Sequence, residues 1–422
     1  MNDENDVKVV REGGLPPLIY LLGYPDPNIQ EHAVVTLRNL SVNADNKVMI
    51  VGEGALPPLI NLLRSPYERI QEHAVVTLRN LSLNSENEVM IVQEGGLPPL
   101  VDLMLTQNER LQEHAVVAIR NLSVNEQNEV DIVAEGALAP IINLLRVPNE
   151  DLQEHAAGAL ANLSTNPMNK IRIVNDGALA PLIALLRSPD ELVVEQAVMC
   201  MRNLSASPEN RARIVAEGAM PRLTSLLRSP VDKIQEAAAG AIRNLSGENE
   251  DSVSGEGGIA LLIALLRSPS ESTQEQAASA LWSMSTNERN QAKIVAEGGI
   301  TPLKDCLRSP NKKVQEQCVG IIRNLSMNEA NEIPMMEEGI LPPLIELLRS
   351  LNERIQEHAC VGLRNLSMHP RCKLQMVQDG VMEPLVGLMR SPLEIIQEHT
   401  VVCIRNLSMA LDNVVTIMEN DA

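Results

Sequence analysis

The chain is 422 residues long, 44% apolar and 1% aromatic, and its 35 Lys and Arg stand against 55 Asp and Glu, a net charge of −20. An acidic chain lacks the basic surface that sequence-independent binding to a phosphate backbone needs, so nucleic acid is not an expected partner. With one Trp, three Tyr and no Phe, the core falls to Leu, Ile, Val, Ala and Met, a helix-forming palette.

Repetition starts almost at once. Within Leu-Arg-Asn-Leu-Ser or a close variant, an Asn recurs at Asn39, Asn80, Asn121, Asn162, Asn203 and Asn244, always 41 residues apart. The next equivalent is Ser283, 39 residues on, and Asn324, Asn365 and Asn406 resume the 41-residue period. Ten units follow: 2–42, 43–83, 84–124, 125–165, 166–206, 207–247, 248–286, 287–327, 328–368 and 369–409, with a partial eleventh over 410–422. Self-similarity at this period marks a repeat array, read here as one solenoid over 1–422.

The second unit serves as the pattern. A short helix over 43–54 ends at Glu-Gly, where Gly suits a left-handed cap. A second runs over 56–64, with Pro57 and Pro58 in its first turn, where a missing amide donor is harmless, and Ser65-Pro66 stops it. The third spans about 68–82 and places Ile70, Ala74, Leu78 and Leu81 on one stripe, the face to be buried. Units that cannot bury such faces alone must stack, so the predicted fold is an all-α solenoid.

Three helices in about 41 residues, with Glu-Gly-Ala-Leu-Pro-Pro-Leu-Ile-x-Leu-Leu-Arg-Ser-Pro followed by Ile-Gln-Glu-His-Ala-Val-Val-Thr-Leu-Arg-Asn-Leu-Ser, resemble the armadillo repeat. The resemblance covers essentially the whole chain. The Arg-Asn-Leu-Ser ending is more similar to vacuolar-protein-type, plakophilin-like and plant U-box-associated armadillo arrays than to importin-α. It implies a right-handed superhelix whose concave groove is lined by the third helices, with the Asn row clamping an extended peptide.

On a helical wheel, Glu72, His73, Val76 and Arg79 share the side of Asn80, while Ala74 and Leu78 point to the core. A side-chain amide is both donor and acceptor, and so can bridge a peptide backbone whatever its sequence. Stacked helices about 8–10 Å apart match two or three residues of extended chain. The same Asn could instead hold neighbouring repeats together, and the two roles are compatible.

Beside the Asn row stand Arg38, Arg79, Arg120, Arg202, Arg243, Arg323, Arg364 and Arg405, replaced by Ala161 and by Trp282. Glu31, Glu72 and Glu113 open a row of ten glutamates, each seven residues before those positions. Two helical turns separate the pair within one helix, so contact is expected between adjacent repeats, as an ion-pair network or as a row that reads acidic groups of a ligand. His32, His73, His114, His155, His358 and His399 recur in the same face as rim or inter-repeat residues. Repeats about 8–10 Å apart cannot bring two imidazoles to the ~2.0–2.1 Å that zinc demands, so no metal is expected, and no cofactor. Units four to seven depart from the others, with Gly158, Met199, Gly240 and Ser279 where units one to three carry Val.

Six cysteines, Cys200, Cys306, Cys318, Cys360, Cys372 and Cys403, show no CxxC spacing and read as reduced, packed thiols. No run approaches the ~20 apolar residues of a membrane span. The expectation is a cytoplasmic protein, or one also nuclear, without direct membrane insertion. Every polar residue recurs unit by unit, whereas catalysis needs an unrepeated constellation, so no enzyme is expected. The functional reading is a scaffold or adaptor for extended or disordered protein segments. Four alternatives stay open: a structural or self-associating solenoid meeting end to end through uncapped terminal repeats, a nuclear-import-type adaptor, an RNA-reading array and an engineered consensus-like array. Importin-α-like grooves carry a Trp four residues before the ladder Asn, where this chain has Val35, Val76, Val117, Val361 and Val402, which disfavours the import adaptor; the acidic, aromatic-poor face disfavours RNA.

Overall fold

A computed structural model of the protein describes residues 3–246 and 257–409, with side chains from Val7 onward. The start of the seventh unit and the terminal residues expected to meet end to end, Asn2 and 410–422, lie outside the described residues. All regular structure among the described residues is helical. The chain divides into two compact units, Met1–Glu217 and Gly218–Ala422.

The first unit holds five three-helix repeats and the opening helix of a sixth. In its second repeat the helices are Ala44–Gly52, Leu56–Leu62 and Glu68–Leu81. Asn43 caps the first, its Oδ1 accepting from the amides of Asp45 at 3.0 Å and Asn46 at 3.2 Å. Gly54, just past its end, has φ of +83°, a left-handed conformation that favours a residue without Cβ. The second helix stops two residues short of the sequence expectation. The amides of Leu63 and Arg64 reach back three residues, to Ile60 and Asn61, and tighten the final turn.

Ile70, Ala74, Leu78 and Leu81 on the third helix are at most 1% exposed. Fully burying an aliphatic side chain stabilises by about 1.5–3 kcal/mol, so this stripe is what makes a repeat adhere to its neighbours. A second asparagine row, not singled out in the sequence, ties the first helices together. Asn87 Nδ2 donates to the carbonyl of Leu81 and to that of Lys47 in the preceding repeat, both at 3.2 Å. Asn128, Asn169 and Asn210 bond in the same way to Glu88, Glu129 and Lys170. Its signal was the Asn-x-x-Asn spacing of 84 and 87, whose first member caps and whose second is buried.

The second unit continues the plan from Met220–Leu226 and Asp232–Ser246, through Gly258–Leu265 and Glu271–Met284, to Pro370–Gln378, Met382–Leu388 and Glu394–Ser408. In the ninth repeat the second helix, Leu341–Glu346, runs into a single 3₁₀ turn over Leu347–Arg349. All six cysteines are buried.

Candidate functional site

Within each unit the third helices of successive repeats lie side by side, and their wheel positions place the Asn, Arg, Glu and His rows of that unit on one face. Within the first unit, Asn80, Asn121 and Asn162 donate through Nδ2 to Ser41, Ser82 and Ser123 Oγ of the preceding repeat, at 3.0, 3.0 and 3.1 Å. Asn121 and Asn162 also reach the carbonyls of Arg79 and Arg120. Asn203 donates to the Ala161 carbonyl at 2.9 Å. Within the second unit, Asn324, Asn365 and Asn406 bond Ser285, Ser326 and Ser367. Asn406 is buried; Asn39, Asn244 and the rest are half-buried. The amide nitrogen is therefore engaged in holding repeats together, because the Ser two residues past the previous ladder position stands within its reach. The carbonyl oxygens of Asn39, Asn244 and Asn365 accept from the adjacent arginines.

Arginine and histidine meet where an arginine–glutamate network was one expectation. Nη1 of Arg38, Arg79 and Arg120 lies 3.0, 3.1 and 3.0 Å from Nδ1 of His73, His114 and His155 in the following repeat. Arg323 and Arg364 meet His358 and His399 at 3.0 Å. Carboxylates join this contact at Arg120–Glu154, 2.9 Å, and Arg323–Glu357, 3.9 Å. Elsewhere the glutamates face other partners: Glu72 pairs with Arg110, Glu275 with Lys313 and Glu316 with Arg354. Glu113 stands 4.0 Å from His114, and Glu31 faces His73. Arg202 is half-buried, whereas His32 and Arg405 are exposed. An offset of 35 residues puts the imidazole, one turn-step beyond the carboxylate, over the guanidinium.

Burial and the neighbouring guanidinium hold His73, His114, His358 and His399 below the ordinary histidine range. For His155 burial also dominates, opposed by Glu154.

The arginine row breaks at Trp282, whose ring meets His358 edge-on at 5.7 Å between centroids. Gln317 occupies the histidine position after it, and its buried Oε1 has no donor among the described residues. In the preceding repeat the equivalent Gln276 accepts from Arg243 at 2.8 Å. No group of three or more His, Cys, Asp and Glu suited to a metal occurs among the described residues, nor does a helix long and apolar enough to cross a membrane.

What the face offers chemically is a row of flat guanidiniums held from one side, with half-buried amides between them. A guanidinium has five N–H donors, and these bonds use one to three of them. Such a surface presents hydrogen-bond donors in fixed directions.

Comparison with known proteins gives the same architecture. No curated protein matches the chain. A crystallised engineered protein is 26% identical with a TM-score of 0.86, over 97% of this chain and 99% of that one. The armadillo/beta-catenin-like repeat model matches ten times, at 2–42, 43–83, 84–124, 125–165, 166–206, 207–247, 248–286, 287–327, 328–368 and 369–409. Proteins built of this repeat are generally non-catalytic scaffolds for protein interaction, and with all ten units matched the chain belongs to the armadillo/beta-catenin-like repeat family.

Proposed function

We propose that the chain is a scaffold that binds an extended protein segment along the face of its third helices. The observation that carries this reading is the row of half-buried arginines and asparagines on one face of the repeats within each unit, Arg38-Asn39, Arg79-Asn80 and Arg120-Asn121 in the first and Arg243-Asn244, Arg323-Asn324 and Arg364-Asn365 in the second. The guanidiniums of Arg38, Arg79, Arg120, Arg323 and Arg364 are oriented by a histidine of the next repeat, which presents them to peptide carbonyls or carboxylates without reorganisation. The acidic chain as a whole argues against nucleic acid as the occupant, and a cytoplasmic or nuclear setting is part of the same proposal.

The Asn–Ser bonds favour a second reading, in which the asparagines serve the stack alone. A peptide-display selection on the intact chain separates the two. Asn80→Ala, Asn121→Ala and Asn365→Ala remove both the cross-repeat bond and the amide. Ser41→Ala, Ser82→Ala and Ser326→Ala remove the bond to the serine hydroxyl and leave the amide in place. Loss of selected peptides with the first set and retention with the second, both sets folded, supports the groove. Equal behaviour of the two sets assigns the row to the stack.

A further inference from the structure

Five of the cross-repeat contacts place a guanidinium nitrogen against an imidazole Nδ1. A guanidinium nitrogen can only donate, so in each contact Nδ1 is the acceptor and the ring proton sits on Nε2. A protonated imidazole has no lone pair to give, so each bond exists only while its histidine is neutral. At the equivalent place in the seventh repeat the acceptor is not titratable: Arg243 Nη1 donates to Gln276 Oε1.

We propose that the five Arg–His contacts are proton-operated latches: protonation turns Nδ1 from acceptor to donor, sets a second cation against the guanidinium, and releases Arg38, Arg79, Arg120, Arg323 and Arg364 from the imidazole. The latches join repeats one to four and eight to ten. Between them the acceptor positions hold Gln196, Ala237, Gln276 and Gln317, so the central repeats do not respond. Released guanidiniums face outward, which strengthens the hold on an acidic extended segment in mild acid; this last step rests on the groove reading, the latch itself does not.

The surroundings of each imidazole agree with this use. His73 faces Arg38, Glu72, Glu31 and Arg69, and His114 faces Arg79, Glu113, Glu72 and Arg110. His155 faces Arg120, Glu154, Glu113 and Asp151. His358 faces Arg323, Glu357, Glu316 and Arg354, besides the Trp282 ring, and His399 faces Arg364, Glu398, Glu357 and Arg323. Burial and the arginine set the latches to open below the ordinary histidine value of 6.5. An acceptor for the new donor already stands nearby, since Glu113 and Glu154 carboxylate oxygens lie 4.0 and 3.9 Å from the His114 and His155 Nδ1 atoms.

Replacing His73, His114, His155, His358 and His399 together by Gln copies the Gln276 contact and removes the titration. Nitrogen-15 spectra should show Nδ1 unprotonated at pH 7.5 in the wild type. Hydrogen exchange, corrected for intrinsic rates, should lose about tenfold protection in the third helices of repeats two to four, nine and ten at pH 5.5. The central repeats, and the variant throughout, should change less than about twofold. His114→Gln alone, read in its own helix, serves if the fivefold variant does not fold. A protonated Nδ1 at pH 7.5, an equal loss in the central repeats, or the same response in the variant overturns the latch. A fluorescent poly-aspartate peptide should bind more tightly at pH 5.5 than at 7.5 in the wild type by a larger factor than in the variant. Absence of binding at either pH sinks the groove reading and the hand-over to a ligand, while the ligand-free readouts still decide the latch.

Discussion

Gly320 lies directly against the ring of Trp282: a Cβ added to it would stand 2.9 Å from Cε2 and 3.0 Å from Nε1. Alanine is worth about 1 kcal/mol more than glycine inside a helix, while forcing an atom into a packed site costs about 1–3 kcal/mol. A rigid indole cannot fold away, so the second effect wins. Gly320→Ala should lower the melting temperature by roughly 2–5 °C and shift the emission of the single tryptophan. Gly158 is the contrasting case. Its added Cβ would lie 2.5 Å from Arg120 Nε, on a side chain that can swing aside at the expense of its contacts with Glu154 and His155. Gly158→Ala should change the melting temperature by less than about 2 °C. An unchanged melt and emission for Gly320→Ala would refute the packing account.

Gln276 and Gln317 occupy the same position in neighbouring repeats and differ in one contact. Gln276 accepts from Arg243, whereas the Gln317 acceptor is buried without a donor because Trp282 replaces the arginine. An unsatisfied buried polar atom costs about 1–3 kcal/mol. Gln317→Met should therefore raise the melting temperature by about 1–3 °C, and Gln276→Met should lower it by a similar amount. Calorimetry giving both variants the same sign would contradict this assignment.

Three carboxylates between adjacent first helices, Glu88, Glu129 and Glu332, are 9%, 4% and 6% exposed. Burial pushes each above the usual value of 4.5, against the Thr165 hydroxyl that donates to Glu129 at 2.5 Å and the His369 that faces Glu332. With the folded value raised, the native state holds these protons more tightly than the unfolded chain. Their contribution is neutral below pH 4.5 and becomes increasingly unfavourable as pH climbs to the folded value. Glu88→Gln, Glu129→Gln and Glu332→Gln combined should raise the melting temperature at pH 7.5 by roughly 2–5 °C, and by less at pH 4.5. A gain of equal size at both pH values would mean that packing, not charge, separates the variants.

Burial holds the thiols of Cys200 and Cys403 up at about 12, and that of Cys372 at about 11. Only thiolates attack disulfide reagents, so these three should stay unlabelled for hours at pH 7.5 in the native protein and react within minutes in denaturant. Mass spectrometry of the labelled chain reads the result site by site, and rapid native labelling of Cys200 would argue against the packed core described here.

The helices and their burial were legible in the sequence because their signals are local. Gly54, Pro57 and Asn43 act within a turn, and the Ile70, Ala74, Leu78 stripe needs only a period of 3.6. Membership of the Asn, Arg, Glu and His rows was equally plain from the 41-residue spacing. Which row touches which was not. A shared face is set by rotation about one helix, whereas the Arg79–His114 contact depends on the rise and twist from one repeat to the next, a displacement that no single repeat encodes. The same blindness hid the Asn80–Ser41 bond and the space that Gly320 leaves for Trp282, each a relation between separate repeats.

The bond from the ladder Asn to the preceding Ser has a further consequence. Asn39-Leu40-Ser41 is an Asn-x-Ser acceptor for N-linked sugar, and the same triplet recurs at all nine ladder asparagines through Asn406-Leu407-Ser408. Oligosaccharide attaches to Nδ2, the atom that in Asn80 donates to Ser41. A glycan there would remove that bond and wedge the repeats apart. Sent through a secretory pathway with a leader, the chain should gain several endoglycosidase-sensitive sugars and fail to reach its native melting temperature. The element that closes one repeat on the next is thus one that a sugar on the same nitrogen would open.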